Sequence, residues 1–477
     1  MTVAIALAFV LCYNTHVFRK KGVVKVIFSR KAYDEMLEWK THLADRYALL
    51  VEGARRVGKT FLLRQFMANE YKSHIYIDFA SNAKTTKDAK RAFTEAVDIA
   101  DLILRLELIF AVKLLPGESC IVFDEVQLFP DARGTIKSLV EYGRFHYIES
   151  GSLVGIKENV KDILIPSEEH KMKMYPLDFE EFLDALGETL LKEHVRSCFN
   201  DRKPLAKEIH DKAMRLWRTY MVVGGMPQSV EAYLSSNENR FEASETAKRE
   251  ILSLYDSDIG KYAKGYASKV RAIFRMMPSA LSRREKRFHL ADLGNNSRMR
   301  RYENAFLWLA DAMVANIAYN SVSPDVGLGM NLDSSSFKCY SLDTGLLLSQ
   351  SMSGRIDADA RLLRAILHEN IGINEGMFVE NAVAQTFASQ NRELFFYSRS
   401  SRTDRAETME VDFLLQKGFK VCPVEVKSSS YRTHASLDRF VAKFARQLGS
   451  KYVICRGDCE FDGDGITYLP FYMAHCL

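Results

Sequence analysis

Ala48-Leu49-Leu50-Val51-Glu52-Gly53-Ala54-Arg55-Arg56-Val57-Gly58-Lys59-Thr60-Phe61-Leu62-Leu63-Arg64-Gln65-Phe66 is the stretch on which the reading of this chain turns. An apolar run of strand character meets Gly-x-x-x-x-Gly-Lys-Thr, and a helix-period run follows at once. The glycines let backbone N–H groups wrap an anion, and the start of the helix adds its partial positive charge. Lys59 then reaches the β/γ oxygens of a nucleotide, and the Thr60 hydroxyl ligates Mg²⁺. A turn that only packs a helix on a strand needs glycine but neither Lys nor Thr, so a phosphate site is preferred. The expected nucleotide-binding set is Gly53, Ala54, Arg55, Arg56, Val57, Gly58, Lys59, Thr60 and Phe61, with ATP and Mg²⁺ as ligands.

Working outward, His74–Phe79, Cys120–Asp124 and Phe145–Ile148 are further short β-branched and aromatic runs separated by helical stretches, the signature of βα units feeding a parallel sheet. The run Cys120-Ile121-Val122-Phe123 ends in Asp124-Glu125. Asp124 is expected in the Mg²⁺ shell, and Glu125 is expected to orient or deprotonate the attacking water, which makes Glu125 and Lys59 the catalytic pair. Helix N-caps also favour acids, so the pair gains its meaning from the phosphate loop upstream. Ser150 and Ser152 follow the next strand and either face the γ-phosphate or begin a turn with Gly151.

From 176 to 262 the pattern turns helical, broken at Gly224-Gly225-Met226-Pro227, and reads as a helical subdomain. Residues 265–322 read as helices, and strand-like runs return at Leu394–Tyr397, Val411–Leu415, Val421–Val426 and Tyr452–Cys455, which makes a second α/β region. Arg283, Arg284, Lys286, Arg287, Arg298, Arg300 and Arg301 flank Leu290–Gly294 and the run Tyr302–Met313, a helix-turn-helix layout. Such arginines could hold DNA phosphates, or the segment could dock a protein with its charged face solvated.

The whole chain has 477 residues, 47% hydrophobic and 27% charged, so it is globular and of several domains rather than disordered. A net charge of +5 is too small to imply nucleic-acid binding unless concentrated locally. The eight cysteines form no Cys-x-x-Cys pair, which supports neither a zinc site nor a disulfide framework and fits a cytoplasmic protein. Residues 2–12 are apolar, yet they are too short to span a membrane, and the basic Arg19-Lys20-Lys21 follows the run instead of preceding it as a secretory signal requires. Residues 1–26 are accordingly expected to lie outside the fold, and no membrane span is expected.

The motifs Gly53–Thr60 and Ile121–Glu125, with Ser150-Gly151-Ser152, Tyr175-Pro-Leu-Asp-Phe-Glu-Glu-Phe-Leu183, Gly224-Gly225-Met226-Pro227 and Phe337-Lys-Cys-Tyr-Ser-Leu-Asp-Thr-Gly-Leu346, resemble the archaeal and bacterial AAA+-like P-loop ATPases that carry a C-terminal domain of unknown function. The resemblance runs from about Ile27 to Cys455. It implies a P-loop NTPase domain at 27–175, a helical lid at 176–262, a winged-helix-like region at 263–330 and a restriction-endonuclease-like α/β domain at 331–477. Ile165-Pro166-Ser-Glu-Glu-His170 departs from the more basic or glycine-containing sequence of relatives, which weakens a sensor role there.

Within the last region Asp412 ends Glu410-Val411-Asp412, and Glu425-Val426-Lys427 begins 13 residues later. Two adjacent strands would bring two carboxylates and an ammonium together, with Glu380 as a further ligand, which resembles the PD-(D/E)xK nuclease signature. Glu380, Asp412 and Glu425 with Lys427 are therefore a candidate second metal site, or else an ion-paired relic. Three functions follow as expectations: an ATPase whose nucleotide state controls a winged-helix, nuclease-like C-terminal half, an ATP-gated DNA endonuclease, and an ATP-binding scaffold for a protein partner or a homo-oligomer.

Overall fold

A computed structural model of the chain describes residues 16–20, 23–152, 166–283, 285–288, 299–352, 356, 375–401, 403–404, 407–463 and 465–477. Contacts divide it into two compact units. One is Arg30–Tyr175 with Asp311–Val314; the other is Pro176–Ala310 and Ala315–Leu477 with the described residues before Arg30. In chain order, β1 (His16–Lys20) and β2 (Val23–Ile27) form an antiparallel pair. Part of the segment expected to lie outside the fold is therefore strand, and the remainder of 1–26 falls outside the described residues.

The Arg30–Tyr175 unit runs α1 (Lys31–His42), β3 (Ala48–Glu52), α2 (Lys59–Glu70), β4 (Ser73–Asp78), α3 (Lys84–Glu95), α4 (Ile99–Phe110), β5 (Ser119–Asp124), α5 (Pro130–Tyr142), β6 (His146–Gly151) and β7 (Glu169–Lys173). The five strands form a wholly parallel sheet in the order β4-β5-β6-β3-β7. Leu50, Ile75, Ile77, Ile121, Phe123 and Tyr147 from the strands pack with Ala89, Leu102, Leu106, Ile136 and Leu139 from α3, α4 and α5 in one core. Four strands match the sequence reading to within a residue or a few at their ends, but β7 was not anticipated. Glu169-His-Lys-Met-Lys173 buries only Met172 and stands at the sheet edge, so it lacks the apolar run by which a parallel strand is recognised.

The other unit continues with α6 (Phe179–Ala185), α7 (Thr189–Asn200), α8 (Lys207–Val223), α9 (Pro227–Ser235), α10 (Arg240–Tyr262), α11 (Ala267–Leu281) and α12 (Met299–Asp311). After these come β8 (Ala315–Ser321), β9 (Leu332–Ser341), α13 (Thr344–Gln350), α14 (Glu375–Ser389), β10 (Leu394–Arg399), β11 (Met409–Val411), β12 (Phe413–Lys417), β13 (Lys420–Val426), α15 (Ala435–Phe444), β14 (Lys451–Cys455), β15 (Glu460–Gly463) and β16 (Ile466–Pro470). They build two sheets, β11-β10-β8-β9 and β12-β13-β14-β16-β15. Ala315–Ser321, read from sequence as part of a helical stretch, is a strand because it is paired on both sides, antiparallel to β9 and parallel to β10. The boundary expected at 330 falls between these two hydrogen-bonded strands.

Gly224-Gly225 and Asp343-Thr344-Gly345, motifs with no evident local role, interlock. Asp343 Oδ1 caps α13 through Leu346 N at 2.9 Å, and Oδ2 accepts from Gly225 N at 2.6 Å. Leu177 N donates to Gly225 O at 2.7 Å, and Tyr220 OH to Leu177 O at 2.8 Å. Gln385 Nε2 of α14 closes the circuit on Tyr220 OH at 2.9 Å. Gly224 has φ 79, and a Cβ on Gly225 would strike the Leu177 carbonyl oxygen, so neither position accepts a side chain. Segments far apart in sequence are thereby tied into one buried polar core.

Candidate nucleotide site

The loop after β3 turns into α2 at Gly58, whose φ of 100 is open to glycine without strain. Arg56 also sits in the left-handed region, at φ 70. Lys59 opens α2 and is buried, with Nζ donating to Gly53 O at 2.6 Å, Ala54 O at 3.0 Å and Ser152 Oγ at 3.1 Å. Burial pushes the ammonium down to about 8, against the opposing pull of Glu125 and Asp124. Arg30 braces the loop from outside, donating to Val57 O at 3.0 Å and to Tyr175 O at 2.6 Å.

Asp124, buried at the end of β5, is the centre of the polar side. Its Oδ2 accepts from Thr60 Oγ1 at 2.7 Å and from the Tyr76 hydroxyl, and its Oδ1 accepts from the Ser150 hydroxyl and from Glu125 N at 3.1 Å. Glu125 has φ 54, a left-handed conformation of the kind that marks functional positions. Its Oε2 accepts from Gln127 Nε2 at 2.5 Å, and its Oε1 lies 3.4 Å from the Ser152 hydroxyl. The Ser150 and Ser152 hydroxyls thus lie against Asp124 and Glu125. Thr60 Oγ1 and an Asp124 oxygen side by side are the hard oxygens that suit Mg²⁺, whose remaining ligands are normally phosphate and water.

Sequence reasoning missed Tyr76, Gln127 and Arg30. Tyr76 was within reach of it: in register it opposes Val122, and Asp78 opposes Asp124, so alternate residues of β4 share a face with the acid. Burial, then its hydrogen bond to Asp124, raises the Tyr76 hydroxyl well above its ordinary range, and the Arg64 guanidinium stacks 4.6 Å from its ring. Arg30 gave no local signal, since it acts across 27 residues.

The C-terminal candidates also come together, but around a cation of the chain itself. Lys338 Nζ lies 3.1 Å from Glu380 Oε1, 2.9 Å from Glu410 Oε1 and 3.4 Å from Asp412 Oδ1. Glu380 also accepts from Tyr340 OH at 2.6 Å and from Lys286. Glu425 pairs with Lys427 at 2.7 Å. Among the described residues no group of three or more His, Cys, Asp or Glu side chains is arranged to hold a metal ion. In the basic middle Arg287 pairs with Glu285 at 2.7 Å and Arg283 lies just past α11. Arg284 and Arg298 fall outside the described residues, and Arg300 and Arg301 lie in α12 with side chains that also fall outside them.

Residues 45–183 match the AAA domain family, residues 214–356 a domain of unknown function (DUF8612), and residues 375–473 another (DUF4143). No curated protein matches the chain. Among solved structures, a Walker-type ATPase of Pyrococcus abyssi aligns with 72% of this chain and 99% of its own at 16% identity and a TM-score of 0.39. No helix among the described residues is long and apolar enough to cross a membrane. The chain carries an AAA-type P-loop ATPase domain.

Proposed function

We propose that this chain binds MgATP on the Gly53–Thr60 loop, hydrolyses it, and uses its nucleotide state to control the C-terminal half. The observation that carries the reading is the convergence of Thr60, Ser150 and the Glu125 backbone on Asp124, beside a buried Lys59. Mg²⁺ at Thr60 and Asp124 would neutralise charge on the β and γ phosphates. Lys59 exchanges two loop carbonyls for phosphate oxygens, which bear full charge and bind an ammonium more strongly. Glu125, steered by Gln127 and Ser152, is the group to orient or deprotonate the attacking water. Glu125→Gln should bind ATP nearly as the wild type does and turn it over at least about 100-fold more slowly. Parallel loss of binding and turnover would overturn the division of labour between the two acids.

For the C-terminal half a protein partner is favoured over DNA. Lys286 is engaged by the buried Glu380, which removes one cation of the basic cluster from phosphate contact. Duplex-DNA affinity measured against salt separates the readings, since each phosphate contact steepens the salt dependence. Strong low-salt binding lost on reversing Arg300 and Arg301 to Glu would reinstate DNA.

A further inference from the structure

The carboxylates expected to hold a divalent metal, Glu380, Asp412 and Glu425, have six side-chain oxygens, and five of them already accept from protein donors. Glu380 Oε1 takes Lys338 Nζ at 3.1 Å and Tyr340 OH at 2.6 Å, and Oε2 takes Lys286. Asp412 Oδ1 takes Lys338 at 3.4 Å and Oδ2 takes Val426 N at 2.9 Å. Glu425 Oε1 takes Lys427 at 2.7 Å, leaving only Oε2, which is buried without a partner. Lys338 itself is wholly buried in β9, touches a third acid, Glu410, at 2.9 Å, and lies 5.0 Å from the Phe396 ring centre. Lys286, Lys338 and Lys427 thus face Glu380, Glu410, Asp412 and Glu425 in one cluster.

We propose that the Lys338 ammonium is the resident cation of this cluster. It occupies the seat a divalent ion would take, so the acids work without metal, tying β9 to α14 and to the β11–β12 turn, and the C-terminal region is not a metal-dependent nuclease. A divalent ion wants six or more oxygen ligands and tolerates no ammonium among them, whereas an ammonium is satisfied by three acceptors, which is what it finds here. The expected metal does not fit, and the reason is Lys338, which stands outside the Asp412 and Glu425–Lys427 spacing and pairs with Glu380, Glu410 and Asp412.

The test uses the full chain and Mn²⁺ alone, without nucleotide. Titration calorimetry on the wild type and on Asp412→Asn should give the same Mn²⁺ isotherm, because any ion held by Thr60 and Asp124 is common to both. Lys338→Met should melt several degrees lower and be restabilised by millimolar Mn²⁺, with the gain abolished by adding Asp412→Asn. Wild-type Mn²⁺ uptake, or nicking of supercoiled DNA, that disappears in Asp412→Asn would overturn the proposal, as would a folded Lys338→Met that ignores Mn²⁺. Should Lys338→Met fail to fold, the wild-type comparison decides alone. None of these readouts depends on ATP turnover, so the ATPase reading stands or falls separately.

Discussion

Lys59 rests on the carbonyls of its own loop, so its ammonium is held ready without being committed to a ligand. Lys59→Ala should remove measurable ATP binding while leaving the circular-dichroism spectrum unchanged; retained affinity would detach the lysine from the phosphates. Since burial has brought its pKa down to about 8, the charge that attracts phosphate fades as pH rises through that value. ATP affinity of the nucleotide-free protein should therefore decline between about pH 7 and 9.5, and a flat calorimetric profile would contradict this. Most of this site was legible because Gly53–Thr60 and Asp124-Glu125 are contiguous and end on strands. Tyr76 was hidden by the need to know which strand lies beside β5, and Arg30 by its distance along the chain.

At the scale of elements, the interlocked Gly224-Gly225 and Asp343 segments make the sharpest stability predictions. Gly225→Ala drives a methyl into the Leu177 carbonyl and should cost at least about 2 kcal/mol in urea unfolding. Asp343→Ala leaves the buried Gly225 and Leu346 N–H groups unpaired, at about 1–3 kcal/mol each, while Asp343→Asn keeps an acceptor and should cost less. Equal effects of the two Asp343 variants would show that the capping bonds matter little. These segments were visible in the sequence as motifs only. β7 and β8 were not visible at all, because an edge strand need not be apolar and Ala315–Ser321 owes its extended form to partners on both sides.

For the molecule as a whole, a pH effect on the stability of the Arg30–Tyr175 unit should come from Glu149. It is fully buried on β6, and burial, with the Glu169 carboxylate beside it adding to the effect, raises its pKa well above 4.5. The folded state then holds a proton that the unfolded state releases above about pH 4.5, so this contribution to stability is lost as pH rises toward the folded pKa. Glu149→Gln should flatten the change in urea stability between pH 5 and pH 8; an unchanged slope would place the effect elsewhere. Arg133, which pairs with Glu169 at 2.8 Å, opposes the rise.

What the sequence determined by itself was the phosphate loop, the acid pair and the parallel sheet that presents them, since each rests on spacing within a segment or on a run of apolar residues. Only the tertiary structure decided which partners Asp412, Glu425 and Glu380 meet. Their spacing admits a metal site, but Lys338 enters from β9, 42 residues before Glu380, and pairs with Glu380 and Asp412, while Glu425 pairs with Lys427. A carboxylate's partner is chosen by whichever cation the fold brings within about 3 Å, and no pattern along a strand records that choice.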